Sequence, residues 1–215
     1  MKALLLADFY QGKKYLRSIF LIVVVFAVFV VATGGSTGSS LFFPFYAMLL
    51  AGLLSMSLLA YDEQSRWNEY ALILPCTRRQ QVSVKYADSL IGVAVVWVLF
   101  TAIFIALTIR GSYSWSDTVT FSSLMLAVGL IGPSILMPVV FRFGVTKGRM
   151  VYYVVIILVA GGGGAFMAVT GGDLSTVSLP SLPGWMAAVL PVVIGAVLFA
   201  ASWALAIRWY EKREL

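Results

Sequence analysis

The sequence predicts an all-α membrane protein of six transmembrane helices, both termini cytoplasmic, with an amphipathic helix between spans two and three. Three observations predict it. The chain is 61% hydrophobic and 11% charged over 215 residues, with a mean hydropathy of +0.97, whereas soluble domains carry about 25% charged residues. Apolar runs close to the roughly 20 residues that cross a bilayer core recur along it. Basic residues collect in alternate connections, as the positive-inside rule requires of cytoplasmic loops. Backbone groups in lipid must be satisfied within the segment, and continuous apolar runs do that as helices. Strands of a membrane barrel would instead alternate polar and apolar residues.

Residues 1–14, MKALLLADFYQGKK, precede the first span. Met1, Leu4, Leu5 and Phe9 fall near one helical face, which suits an interfacial helix on the inner leaflet or a plain extension of span one. Span one is expected at 15–33. Its apolar run exceeds the h-region of a signal peptide, so it reads as a span and not as a leader. Gly, Ser and Thr at 34–40 close a tight reversal into span two at 41–60.

Span three is expected at 87–109 and span four at 118–140. Between them, Tyr113 and Trp115 suit a short outer connection with interfacial aromatics. Pro133 and Pro138 interrupt the hydrogen bonding of span four and are candidate hinge or packing positions. Span five, 150–170, carries Gly161, Gly162, Gly163 and Gly164. Those glycines either seat a neighbouring helix closely or form a hinge. A longer outer loop, 171–183, leads into span six at 184–207. With six spans the whole chain is one transmembrane domain.

Lys2, Lys13, Lys14 and Arg17 precede span one; Arg66, Arg78, Arg79 and Lys85 lie between spans two and three. Arg142, Lys147 and Arg149 separate spans four and five, and Arg208, Lys212 and Arg213 end the chain, with Arg110 alone opposite. This pattern places both termini and the 61–86 connector in the cytoplasm. The pI of about 9.6 follows from it and suits an anionic inner leaflet. The basic residues form no continuous stripe, so nucleic acid is a poor partner. Cys76, the single cysteine, reads as a small packed side chain with no disulfide.

The connector 61–86, YDEQSRWNEYALILPCTRRQQVSVKY, is dense in charge for so apolar a chain. Trp67, Tyr70, Ala71 and Leu74 recur at i, i+3, i+4 and i+7, one face of a helix. Asp62 and Glu63 suit the positive end of its dipole, and Asp62 with Arg66 is an i,i+4 pair. Pro75 stops this helix. Thr77 with Gln80 then fits a capping box, so a new helix is expected to begin at Arg78 and run into span three.

The combination Asp62-Glu63, Trp67, Tyr70, Leu74-Pro75, Arg78-Arg79 and Lys85-Tyr86 resembles the cytoplasmic loop of small bacterial permeases of the type-2 ABC-transporter membrane-domain family. The resemblance extends to chain length, six spans and a polar N-terminal segment. It implies that the short helix is a coupling helix docking on a separate ABC ATPase. By position, Glu63, Arg66, Trp67, Glu69, Tyr70 and Leu74 would form the docking surface, with Pro75 and Arg78 setting the turn into span three. It also implies a second permease copy or homologue, a bacterial plasma-membrane location, and export of peptide toxins, antimicrobials or hydrophobic drugs.

The chain has no G-x-x-x-x-G-K-[ST] element, so ATP and Mg²⁺ are expected in the partner and no cofactor here. It has no histidine and no metal-ligand cluster, and no catalytic residue is expected. A secondary transporter or channel is the rival class, and a non-transporting anchor for an ATPase is a third. Ion-coupled carriers place ionisable residues near the midplane. Asp88 and Arg110 lie instead at the ends of the expected span three, which favours an external energy source. A charge-free midplane rich in Phe, Leu and Val suits an apolar, amphipathic or lipid-like cargo.

Overall fold

The computed structural model describes residues 17, 20–32, 38–64, 77–148, 150, 151, 153, 154, 157, 161 and 184–211. Every regular element among them is an α-helix. They are α1 (Phe20–Ala32), α2 (Gly38–Gln64), α3 (Arg78–Ile109), α4 (Trp115–Phe143) and α5 (Gly184–Glu211). Four of them contain stretches long and apolar enough to cross a membrane: Phe43–Tyr61, Arg79–Ile109, Trp115–Phe143 and Ala188–Tyr210. α1 is a shorter apolar helix inside the expected span 15–33. Of the expected span 150–170, residues 150, 151, 153, 154, 157 and 161 are described, and all are helical. The N-terminal segment 1–14 and the loop 171–183 lie outside the described residues.

The helices overrun the apolar windows, because a helix ends where a cap stops it and not where hydropathy falls. α3 begins at Arg78, before the apolar run at 87, and the cap responsible is the expected capping box. Thr77 Oγ1 accepts from the Gln80 N–H at 3.3 Å, and Gln80 Oε1 accepts from the Thr77 N–H at 3.3 Å. Such caps contribute about 1 kcal/mol. At its far end Gly111, at φ 83°, takes the left-handed position after the last turn. The Ser112 N–H reaches Leu107 O at 3.0 Å and the Gly111 N–H reaches Thr108 O at 2.9 Å, the paired bonds of a Schellman stop.

α4 is the central element. It packs against α2, α3 and α5, and 67% of its apolar window is buried, against 17% for α5 at the periphery. In lipid, helix association rests on close packing and interhelical hydrogen bonds, so small residues decide where backbones meet. Gly129 of α4 faces Met48 of α2 and Val93 of α3, and Gly195 of α5 lies against Ala127 of α4. Gly52 of α2 seats Pro133: a Cβ there would stand 3.0 Å from the Pro133 ring. α4 stays continuous through Pro133 and Pro138.

One packed cluster joins Val23 and Val30 of α1 to Met48, Phe100, Phe104 and Met125. Trp97 Nε1 donates to Ser122 O at 2.9 Å, and the Thr101 and Ser122 hydroxyls pair at 2.8 Å, tying α3 to α4. At the opposite end a second cluster joins Val82 and Tyr86 of α3 to Met137 and Phe141 of α4 and to Ala206 and Tyr210 of α5. This is the basic end of the bundle, for it carries Arg79, Arg142, Lys147 and Arg208.

Candidate functional site

The connector joins α2 to α3 at the basic end, and its two ends are anchored to different helices. On the α2 side, the Glu63 carboxylate accepts a hydrogen bond from the Val145 N–H at 3.0 Å. Val145 opens the helical residues 145–148 that follow α4. Gly144, at φ 85°, makes the reversal: its N–H closes α4 on Val140 O at 2.8 Å, and its carbonyl accepts from the Gly148 N–H at 3.1 Å. A carboxylate at a helix N-terminus satisfies an orphan donor and meets the positive end of the helix dipole. Beneath it, Met56 and Ala60 of α2 pack against Leu136, Val140 and Val145. A Cβ on Gly148 would collide with Val140, so this turn sits directly on α4.

On the α3 side, the first turns are clasped by α5. Ser83 Oγ donates to Arg79 O at 2.8 Å and accepts from Trp203 Nε1 at 3.2 Å. The Tyr210 hydroxyl donates to Gln81 Oε1 at 3.2 Å, and the Tyr86 and Ser202 hydroxyls pair at 2.7 Å within the buried interface. The Arg79 guanidinium lies over the Trp203 ring, 5.7 Å from its centroid, a cation–π contact. Arg142 lies over both Phe143 and Trp209, at 5.0 and 4.7 Å, and Lys147 stands 5.9 Å from Phe143. The basic end is therefore a set of cations held on aromatic faces around the mouth of the connector.

A force on the connector thus enters the bundle by two routes. One runs through Glu63 into α2 and the turn after α4; the other runs through α3 into α5. The described residues include no group of three or more His, Cys, Asp or Glu placed to hold a metal.

Of the residues expected to dock a partner, Glu63 is described and exposed. With Asp62, however, it lies in the last turn of α2 and not at the start of a separate helix, and its carboxylate reaches inward to Val145. Arg78 is the first residue of α3. Arg66, Trp67, Glu69, Tyr70, Leu74 and Pro75 lie outside the described residues, as does Cys76. Pro133 is buried against Gly52. Gly161 is helical with open space around it, and Gly162, Gly163 and Gly164 lie outside the described residues. Sequence reasoning missed Val145, Ser83, Trp203 and Tyr210. The last two stand seven residues apart in the final helix, and that i,i+7 aromatic spacing was the available signal.

Lys85 is buried in the first third of α3 with Ser89 below it, and Asp88 is half-buried beside them. Among the charged residues of α3 these lie furthest from its basic end.

Glu63→Ala is expected to lower the stability of the detergent-solubilised protein by about 1 kcal/mol, the usual worth of an N-terminal cap. A thermal unfolding midpoint identical to the parent protein would show that Val145 does not depend on this carboxylate.

A family model described as ABC-2 family transporter protein matches residues 3–211, nearly the whole chain. None of the curated proteins matches it.

Proposed function

This chain belongs to the ABC-2 transporter family, and from that premise we propose that it is the membrane subunit of an ATP-driven exporter. Its cargo is hydrophobic or amphipathic: a peptide, toxin, antimicrobial or lipid-like molecule. The observation that carries the reading is the family match across residues 3–211. The absence of a P-loop from the sequence assigns ATP and Mg²⁺ to a separate ABC ATPase. Six spans are too few to line a pathway alone, so two copies, or this chain and a homologue, line it together in a bacterial plasma membrane.

The basic end faces the cytoplasm in this reading, and the 62–75 segment rests on the ATPase. ATP-driven closure of two ATPases moves the two coupling helices towards each other. The α2 route and the α3 route then turn their helices as packed units, because close-packed interfaces shift as rigid bodies and do not deform smoothly. Glu63, Arg66, Trp67, Glu69, Tyr70 and Leu74 make the docking face, and Pro75 and Arg78 hold the turn.

The test is transport by the chain co-reconstituted with its ATPase in sealed vesicles, using a fluorescent amphipathic peptide as probe. ATP-dependent movement that stops when the ATPase is omitted is the expected result. Movement driven by an ion gradient without the ATPase would make the chain a secondary carrier. Stable association with the ATPase and no movement of a panel of peptides, lipids and hydrophobic dyes would make it an anchor.

A further inference from the structure

α3 and α5 diverge on the outer flank of the bundle and leave a groove of about 340 Å³. Tyr86, Ala87 and Leu90 form one wall, and Phe199, Ala200 and Trp203 form the other, with Ser83 at the mouth. The polar atoms along it are already engaged with one another: Tyr86 with Ser202, and Ser83 with Trp203. What remains for a ligand is an apolar trough. Its open side is exposed, as α5 is along most of its length among the described residues.

Its depth is set by helix length. The apolar stretch Arg79–Ile109 has 31 residues, about 46 Å of helix, against about 40–45 Å for a bilayer with its headgroups. Arg79 therefore lies at headgroup level. Ser83 is one turn deeper, and Leu90 is about 16 Å below Arg79, among acyl chains. Directly above the trough the exposed Arg79 guanidinium rests on Trp203, and it meets no carboxylate among the described residues. A guanidinium fixed on an aromatic face keeps its edge donors free for a bidentate phosphate contact.

We propose that this groove binds an anionic phospholipid, with its phosphate on Arg79 and one acyl chain along Tyr86, Leu90 and Phe199. Charge decides the occupant. A second copy of the chain would bring its own basic end against Arg79, and a zwitterionic lipid gains less from a lone cation at headgroup depth. The proposal requires only that the chain spans the membrane, and it stands or falls separately from the exporter reading. Its consequence is local: the lipid bridges the two helices that carry the α3 route, so leaflet composition sets how firmly α3 and α5 move together.

The test is quenching of Trp203 fluorescence by lipids brominated on their acyl chains. The full chain is reconstituted in vesicles of equal phosphatidylglycerol and phosphatidylcholine, with bromine on one lipid or the other. The Trp203 signal is taken as the difference between the parent protein and Trp203→Phe. Brominated phosphatidylglycerol is expected to quench that signal about fivefold more effectively than brominated phosphatidylcholine, the preference one interfacial cation confers. Arg79→Gln should abolish the preference, and Arg79→Lys should keep most of it. Equal quenching by the two lipids overturns the proposal in favour of ordinary boundary lipid. Absence of quenching by either overturns it in favour of a protein cover, and a preference that survives Arg79→Gln overturns the role of that residue. Should Trp203→Phe not fold, mass spectrometry of the lipid retained by parent and Arg79→Gln proteins after delipidation decides the same question: equal phosphatidylglycerol on both is the overturning result.

Discussion

Replacing Trp67 and Tyr70 together by alanine is expected to release the ATPase while leaving the membrane bundle folded. Interface aromatics at the centre of a docking surface cost about 2 kcal/mol or more each when truncated, so the pair removes roughly 4 kcal/mol, on the order of a thousandfold in affinity. The bundle is expected to survive because each described end of the connector has an anchor of its own. Glu63 secures one end on Val145, and the Thr77–Gln80 capping box secures the other. Co-purification of the ATPase and the thermal midpoint of the permease are the two readouts. Full retention of the ATPase would remove these aromatics from the docking face. Loss of the ATPase together with a collapsed midpoint would make them structural instead.

Gly129→Leu is expected to destabilise the bundle by about 3 kcal/mol, the upper range for overpacking a filled core. A Cβ at this position already stands 2.8 Å from Val93 Cγ1 and closer still to Met48 Cε. The Met48 terminus swings aside at modest cost, but Val93 is β-branched and stiff on its helix. A leucine must therefore part α4 from α3. Gly132→Ala, one turn along the same helix, is the control. Its Cβ meets nothing nearer than Leu49 Cδ2 at 4.0 Å, and alanine is about 1 kcal/mol better than glycine within a helix. Unfolding in mild detergent should move the two variants in opposite directions. A Gly129→Leu midpoint equal to that of the parent protein would mean that α4 does not pack as described.

The class of fold was legible because bilayer physics leaves few choices. A run such as Ala87–Ile109 offers far too few polar side chains to satisfy its backbone, so only a helix serves. The start of α3 was legible for a different reason: Thr77 and Gln80 are three residues apart, and a capping box needs nothing beyond its own turn. The overrun of α2 beyond 60 and of α4 beyond 140 was not visible to hydropathy, which weighs side chains and is blind to where backbone hydrogen bonds stop. Within the candidate site, the amphipathic spacing of Trp67, Tyr70 and Leu74 could be read directly from a 3.6-residue period.

Glu63 shows the limit of that reading. On its own segment it is an acidic residue at the start of an amphipathic helix, suited to the helix dipole and to a docking face. Its partner, the Val145 N–H, is 82 residues away in sequence, and nothing in either segment announces the other. The same holds for Ser83 with Trp203 and for Gln81 with Tyr210, bonds that span 120 and 129 residues. Proline and glycine divide in the same way. Pro133 was marked by its chemistry as a hinge or packing position, but its seat on Gly52 depends on how α2 crosses α4.

The sequence by itself thus determined a helical membrane chain, the family it belongs to, the cap that launches α3, and the helical spacing of Trp67, Tyr70 and Leu74. Each of these is a property of composition or of residues within a few turns of one another. Only the tertiary structure decided that, among the described helices, α4 lies at the centre and α5 at the edge, that Glu63 grips the turn after α4, and that Arg79 rests on Trp203 beside an apolar groove. Those are contacts between helices whose lipid-like surfaces all resemble one another. Which faces meet is settled by small residues and single hydrogen bonds, whose partners lie on other helices, as far as 129 residues away.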